Sequence, residues 1–185
     1  DDTCTATDVG ALSIGHATKS TGAYSFSHGI NVSAKGEGSH AEGLAAIQGY
    51  NLLIFDPIVN ADMGSPSFVS NLTSNRAEGN FSHTEGNSTV TEGECSHAEG
   101  ICTRTSANGK YSHAEGGRTL ANGLYSHAEG LMSEATGRAS HAGGNHCVAT
   151  GDFSNAFGSS TEAVGEGSNA EGYQTHANAR MSHSE

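Results

Sequence analysis

Tryptophan is missing from this 185-residue chain, proline occurs twice, and Lys and Arg together number eight. Each shortage removes a class of protein. With only 34% hydrophobic residues and as many as 26 glycines, the chain has poor material for a thick globular core. The few basic residues are scattered among twenty acidic ones, and the formal net charge of −12 argues against binding nucleic acid or an anionic membrane surface. The longest apolar run, Leu52-Leu53-Ile54-Phe55, is far too short to cross a bilayer. The four cysteines, Cys4, Cys95, Cys102 and Cys147, lack the Cys-x-x-Cys spacing of a zinc site or a thioredoxin-like redox pair. Cys4 reads either as an interchain cross-link or as a free thiol.

What the chain does have is repetition. A five-residue unit, usually Ser-His-Ala-Glu-Gly, returns eleven times, starting at Ala11, Ser25, Ser39, Ser82, Ser96, Ser112, Ser126, Ser140, Ser154, Ser168 and Ser182. From Ser112 onward the step is always fourteen residues; Ser96 to Ser112 carries two more, and Ser39 to Ser82 is forty-three residues, which reads as three coils plus one residue. Low hydrophobicity with an acidic excess would otherwise suggest disorder, but a fixed period with Gly and Ser in fixed columns predicts stacked coils.

The unit Ser112–Tyr125 shows how one coil folds when its positions are numbered from the serine. Positions one, three and five are small (Ser112, Ala114, Gly116), as are eight, ten and twelve (Thr119, Ala121, Gly123), while positions two and four are His113 and Glu115. Alternation with a period of two predicts a strand whose two faces differ. Two such strands per coil describe an all-β parallel β-roll, or solenoid, of fourteen-residue coils whose lumen admits only Ser, Ala, Thr and Gly. The glycines at positions five and twelve are where positive φ is expected. Position fourteen is often aromatic (Tyr24, Phe81, Tyr111, Tyr125, Phe153), which predicts a stacked column along one edge. The organisation expected is an N-terminal segment 1–8, coils over 9–49, an insertion over 50–72 and coils over 73–185. So thin a lumen buries little apolar area, so an outer face needs a partner.

Ala11-Leu12-Ser13-Ile14-Gly15, and Ser154-Asn155-Ala156-Phe157-Gly158 with Thr161, Ala163 and Gly165, resemble the head domains of trimeric autotransporter adhesins, and the related repeats of phage and bacterial surface fibres. The resemblance covers most of the chain apart from about 1–8 and 45–72. It implies a left-handed roll assembled as a homotrimer, with positions two and four facing the threefold axis. The axial residues would then include Leu12, Ile14, His40, Glu42, His83, Glu85, His97, Glu99, His113, Glu115, His127, Glu129 and Phe157.

Where those heads place aliphatic side chains, this chain places His at position two in seven repeats and Glu at position four in seven. Buried charges need partners, and His with Glu supplies them, with imidazole tuning making stability depend on pH. Rings of His40, His83, His97, His113, His127 and His141 offer an alternative as axial Zn²⁺, Ni²⁺ or Fe²⁺ sites; otherwise no cofactor is indicated. His-x-Glu also occurs in zinc deaminases, but those need a Pro-Cys-x-x-Cys partner that neither Pro57 nor Pro66 begins. No nucleophile elbow, Walker loop, dinucleotide fingerprint or calcium-binding nonapeptide is present, and seven copies of one tripeptide favour a structural role. The expectation is a non-enzymatic, extracellular fibre or adhesin segment, on a cell or virion surface, that attaches to a host glycan or protein. The segment with the clustered aliphatics, including Leu53, Phe55 and Ile58, is the candidate contact. A plain structural spacer and an end-to-end filament are the competing uses.

Overall fold

The computed structural model describes residues 3–44 and 75–185. Over these residues the chain is a parallel β-solenoid of eleven coils with no helix. Each coil contributes one strand to each of two eleven-stranded sheets, so that strands alternate strictly between the sheets along the chain. One sheet is made of strands that are mostly five residues long, such as His97–Ile101 and His113–Gly117; the other is made of strands of two or three residues, such as Arg104–Thr105 and Leu120–Ala121. These are the long-strand and the short-strand sheet, respectively. Register is maintained by identity: His113 lies beside His127, Ala114 beside Ala128, and Ala121 beside Ala135.

The lumen between the sheets is filled as the small-residue columns predict. Ala98, Ala114, Ala128, Ala142, Ala156 and Ala170 enter from the long-strand sheet and meet Ala121, Ala135, Ala149, Ala163 and Ala177 from the other. Buried threonines such as Thr103, Thr119 and Thr161 complete it, and among the described residues the largest apolar side chains fully enclosed are Val32 and Val90. Alanine carries little apolar area, so cohesion rests on ladder hydrogen bonds and close packing rather than on bulk burial.

The repeated serine has a definite task. Its hydroxyl donates to the carbonyl of the position-twelve glycine three residues earlier, at 2.7 Å for Ser39 on Gly36, Ser82 on Gly79, Ser96 on Gly93, Ser140 on Gly137 and Ser154 on Gly151. The bond satisfies a buried carbonyl at the point where the chain turns.

Backbone conformation departs from expectation at the turns. Position-five glycines do adopt positive φ, for example Gly100 at 109°. Position-twelve glycines do not. They are needed because a Cβ on Gly137 would sit 2.0 Å from the stacked carbonyl oxygen of Gly151. The left-handed turns instead fall at positions seven and fourteen, and mostly on larger residues: Cys102, Arg118 and Met132 at the first, and Tyr24, Phe81, Tyr111, Tyr125 and Phe153 at the second, all at φ between 56° and 60° except Met132 at 55°. Each such residue gives up roughly 1 kcal/mol in backbone energy. The position-fourteen aromatics do not form one continuous stack. Tyr111 and Tyr125 stack at 5.1 Å, Arg138 covers the ring of Phe153 at 4.7 Å, and Cys95, Ala139 and Gly167 interrupt the column.

The forty-three-residue step is a single coil with an insertion, not three coils and a residue. Val32 pairs directly with Asn75 and His40 with His83, so the strands on either side of residues 45–74 are immediate neighbours in both sheets. Buried Asn75 spans the joint: its amide donates to the carbonyls of Glu42 and Gly86 at 2.8 and 2.6 Å, and its carbonyl accepts from the Thr89 backbone at 3.0 Å. Lys35 and Glu78 form an ion pair across the same joint at 2.7 Å. The two extra residues between Ser96 and Ser112 are absorbed in the turn around Ser106–Lys110, where Gly109 donates to Ser106, leaving His97 stacked on His113.

Candidate functional site: a histidine and glutamate face

Lumen-facing alanines fix the direction of their neighbours, because successive side chains on a strand point to opposite sides. Positions two and four of the long strands therefore project outward together, and parallel in-register pairing turns each into a column. The histidine column runs His40, His83, His97, His113, His127, His141, with ring centroids 4.5 to 5.0 Å apart and planes within 16° of parallel. Phe26 stacks on His40 at one end, and Phe157 meets His141 edge-on at the other. His183 is outside this column, since Asn155 and Asn169 intervene; it pairs instead with Asn169 and Glu185.

Beside the histidines run Glu42, Glu85, Glu99, Glu115 and Glu129, after which the column meets Gly143 and Phe157. A groove of about 820 Å³ follows these glutamates, floored by the position-five glycines. Imidazole Nε2 and carboxylate oxygens face each other at 3.5 Å for His40 and Glu42, 3.7 Å for His113 and Glu99, 3.8 Å for His127 and Glu115, and 3.3 Å for His141 and Glu129. His83 and His97 each lie 4.0 Å from Glu85. All six Nε2 atoms are covered, yet none makes a hydrogen bond.

Stacking like groups shapes the electrostatics. Glu85 is pushed up to about 7, first by sharing a proton with the Glu99 carboxyl and then by loss of solvent and by Glu42. Glu115 is raised for the same reasons, with Glu99 first and Glu129 further down. Glu99 is held low because both neighbours donate to it. His83, His97 and His127 are lowered, chiefly by burial and then by adjacent imidazoles, so the neutral rings favour stacking.

The remaining sequence-predicted residues fall at the ends of this face or outside the described structure. Leu12 and Ile14 lie beside Phe26 and His28 at its N-terminal end and are 51% and 47% exposed. Phe157 closes the C-terminal end of both columns. Leu53, Phe55 and Ile58 lie outside the described residues. In a single chain the histidines form a line along the solenoid, and each Glu–His–Glu or His–Glu–His group spans neighbouring coils. Among the described residues, four such groups bring their donor atoms within 4.8 Å of one another. Sequence reasoning placed these residues on one face but did not see those cross-coil sets. It also passed over a third column, position six, where Ile30, Leu44, Ile101 and Leu131 stand exposed along the same sheet; aligning the repeats would have revealed it.

No family model matches the chain, and no curated protein matches it.

Proposed function

We propose that the chain is a stiff, non-enzymatic fibre segment, a homotrimer of left-handed fourteen-residue coils whose His and Glu columns face a threefold axis, and that it serves attachment on a cell or virion surface. The observation that carries this reading is the long-strand face. It is a regular stripe with a polar middle, half-exposed apolar residues Leu12 and Ile14 at one end and Phe157 at the other. A surface that repeats one pattern coil after coil lets copies of itself meet in register, so that one favourable contact recurs at every level. The lumen supplies little apolar burial, so lateral association is where further stabilisation comes from. The net charge of −12 on each chain keeps assembled rods apart and favours neutral or basic attachment partners.

Light scattering on the purified chain at neutral pH tests the assembly. The expected mass is three times the chain's 18.8 kDa. Leu12→Asp combined with Phe157→Asp places charges at both apolar ends and should convert trimer to monomer while the far-ultraviolet β signal persists. A wild-type monomer at micromolar concentration would overturn the trimer.

A further inference from the structure

We propose that each chain binds three divalent transition-metal cations, with zinc the representative, at alternate gaps between coils along the His/Glu face. The ligand sets are Glu42–His83–Glu85, Glu99–His113–Glu115 and His127–Glu129–His141.

Three observations converge. The donor atoms of each set lie within 4.8 Å of one another, with three protein ligands in each. Three His or carboxylate ligands with a fourth position open to water form a standard open zinc site. Next, the Nε2 atoms of all five histidine positions concerned with the four sets, His83, His97, His113, His127 and His141, are covered and lack hydrogen-bond partners. A covered ring nitrogen that has no hydrogen-bond partner and faces a carboxylate is a donor arrangement a cation completes. Finally, the separations suit an ion better than a direct contact. His113 and Glu99 stand 3.7 Å apart and His141 and Glu129 stand 3.3 Å apart. Those spacings are long for a charge-assisted hydrogen bond. Two ligands each about 2.0 Å from a tetrahedral zinc stand roughly 3.3 Å from each other.

The number three follows from sharing. A fourth set, Glu85–His97–Glu99, is also within reach, but it takes Glu85 from the first set and Glu99 from the second. Filling it as well would place dications about 4.8 Å apart, one per strand spacing, with common ligands. Their repulsion at that distance is strong, and it is halved when every second gap is used. Alternate occupancy uses each glutamate once. At the C-terminal end the Glu column stops at Gly143, and the last set takes two histidines with Glu129 instead. Imidazole with carboxylate suits Zn²⁺, Fe²⁺, Co²⁺ and Ni²⁺ rather than Ca²⁺ or Mg²⁺. Every ligand of a set comes from one chain, so the sites can form in a monomer, and metal counted per chain is read apart from the mass that tests the trimer.

The test uses the full chain stripped with a chelator, dialysed against buffered Zn²⁺ at pH 7.5 and assayed for bound metal by mass spectrometry. Cobalt substitution adds a visible spectrum that reports the donor set. The expected result is three zinc ions per chain in the wild type, still three in His97→Asn, and two in His113→Asn or His141→Asn. Glu115→Gln, which preserves size, provides a second route to the loss of the middle ion, and circular dichroism checks that each variant folds. Zinc no higher in the protein than in the dialysate would overturn the proposal. So would one ion per three chains, which is the signature of an axial ring, or an equal loss in His97→Asn and His113→Asn.

Discussion

Glu134 shows how a single side chain reads its strand neighbours. It sits between Leu120 and Val148 on adjacent short strands, and burial raises its carboxyl above the ordinary value. A raised folded-state pKa means that the folded chain holds the proton more tightly than the unfolded chain does. Stability is therefore highest when both forms are protonated, falls as pH rises through the unfolded value of about 4.3, and levels off above the folded value. Glu134→Gln removes this penalty. Because the side chain keeps partial access to water, the gain is modest, under about 1 kcal/mol at pH 7.5. Urea unfolding of wild type and variant should show the difference at pH 7.5 and none at pH 3.5. A gain that persists in acid would mean that packing, not charge, is responsible. The residues at left-handed φ carry a related lesson. Tyr125 at 60° occupies a conformation that glycine would take without strain, yet keeps a ring stacked on Tyr111. Side-chain contact outweighs backbone preference there, which is why a reading that assigned positive φ to glycine columns misplaced half the turns.

At the scale of the strand pair, the joint between His40–Leu44 and Asn75–Ala77 is the place where continuity is most exposed to failure. Asn75 is fully buried and satisfies two carbonyls and one amide from three different strands or turns. Asn75→Ala would strand those groups in a dry lumen. Leaving a buried polar group unpaired costs about 1–3 kcal/mol, so a loss near 3 kcal/mol is expected, measured by thermal or urea unfolding. Asn75→Thr, which resembles Thr89 and Thr103 in neighbouring coils, should recover part of it. Loss no greater than at an exposed position would show that water enters the joint. How much of this was legible varies with the cause. The sheets, the lumen columns and the outward His and Glu were legible because strand alternation and identical registers are local consequences of the repeat. The direct stacking of His40 on His83 was not, because forty-three residues is close to three periods and only the pairing of Val32 with Asn75 decides the matter. The cross-coil ligand sets were equally hidden, since they depend on side-chain distances between strands and not on any spacing within one.

At the scale of the molecule, the strands of each described coil pair with those of the coils on either side, so stability is a sum of coil and interface contributions, and length is adjustable. His113 lies beside His127, which in turn lies beside His141. Removing residues 126–139 therefore joins Tyr125 to Ser140 and brings His113 directly onto His141. The shortened chain should fold, retain its β signal per residue and lose only one interface, while the ion set that uses His127 and Glu129 disappears with it. Removing Ala128 alone is far more damaging, although it takes away one residue instead of a coil. Losing a single residue inside the strand His127–Leu131 reverses the inward and outward sense of the rest of that strand, and Glu129 turns toward the alanine-lined lumen. An unpaired carboxylate there costs about 3 kcal/mol or more, with the stack interrupted at that level. Circular dichroism and limited proteolysis of the two deletions distinguish the cases. Cleavage near residue 128 in the single-residue deletion, with the coil deletion intact, is the expected pattern. The reverse pattern would mean that cohesion is not local to neighbouring coils.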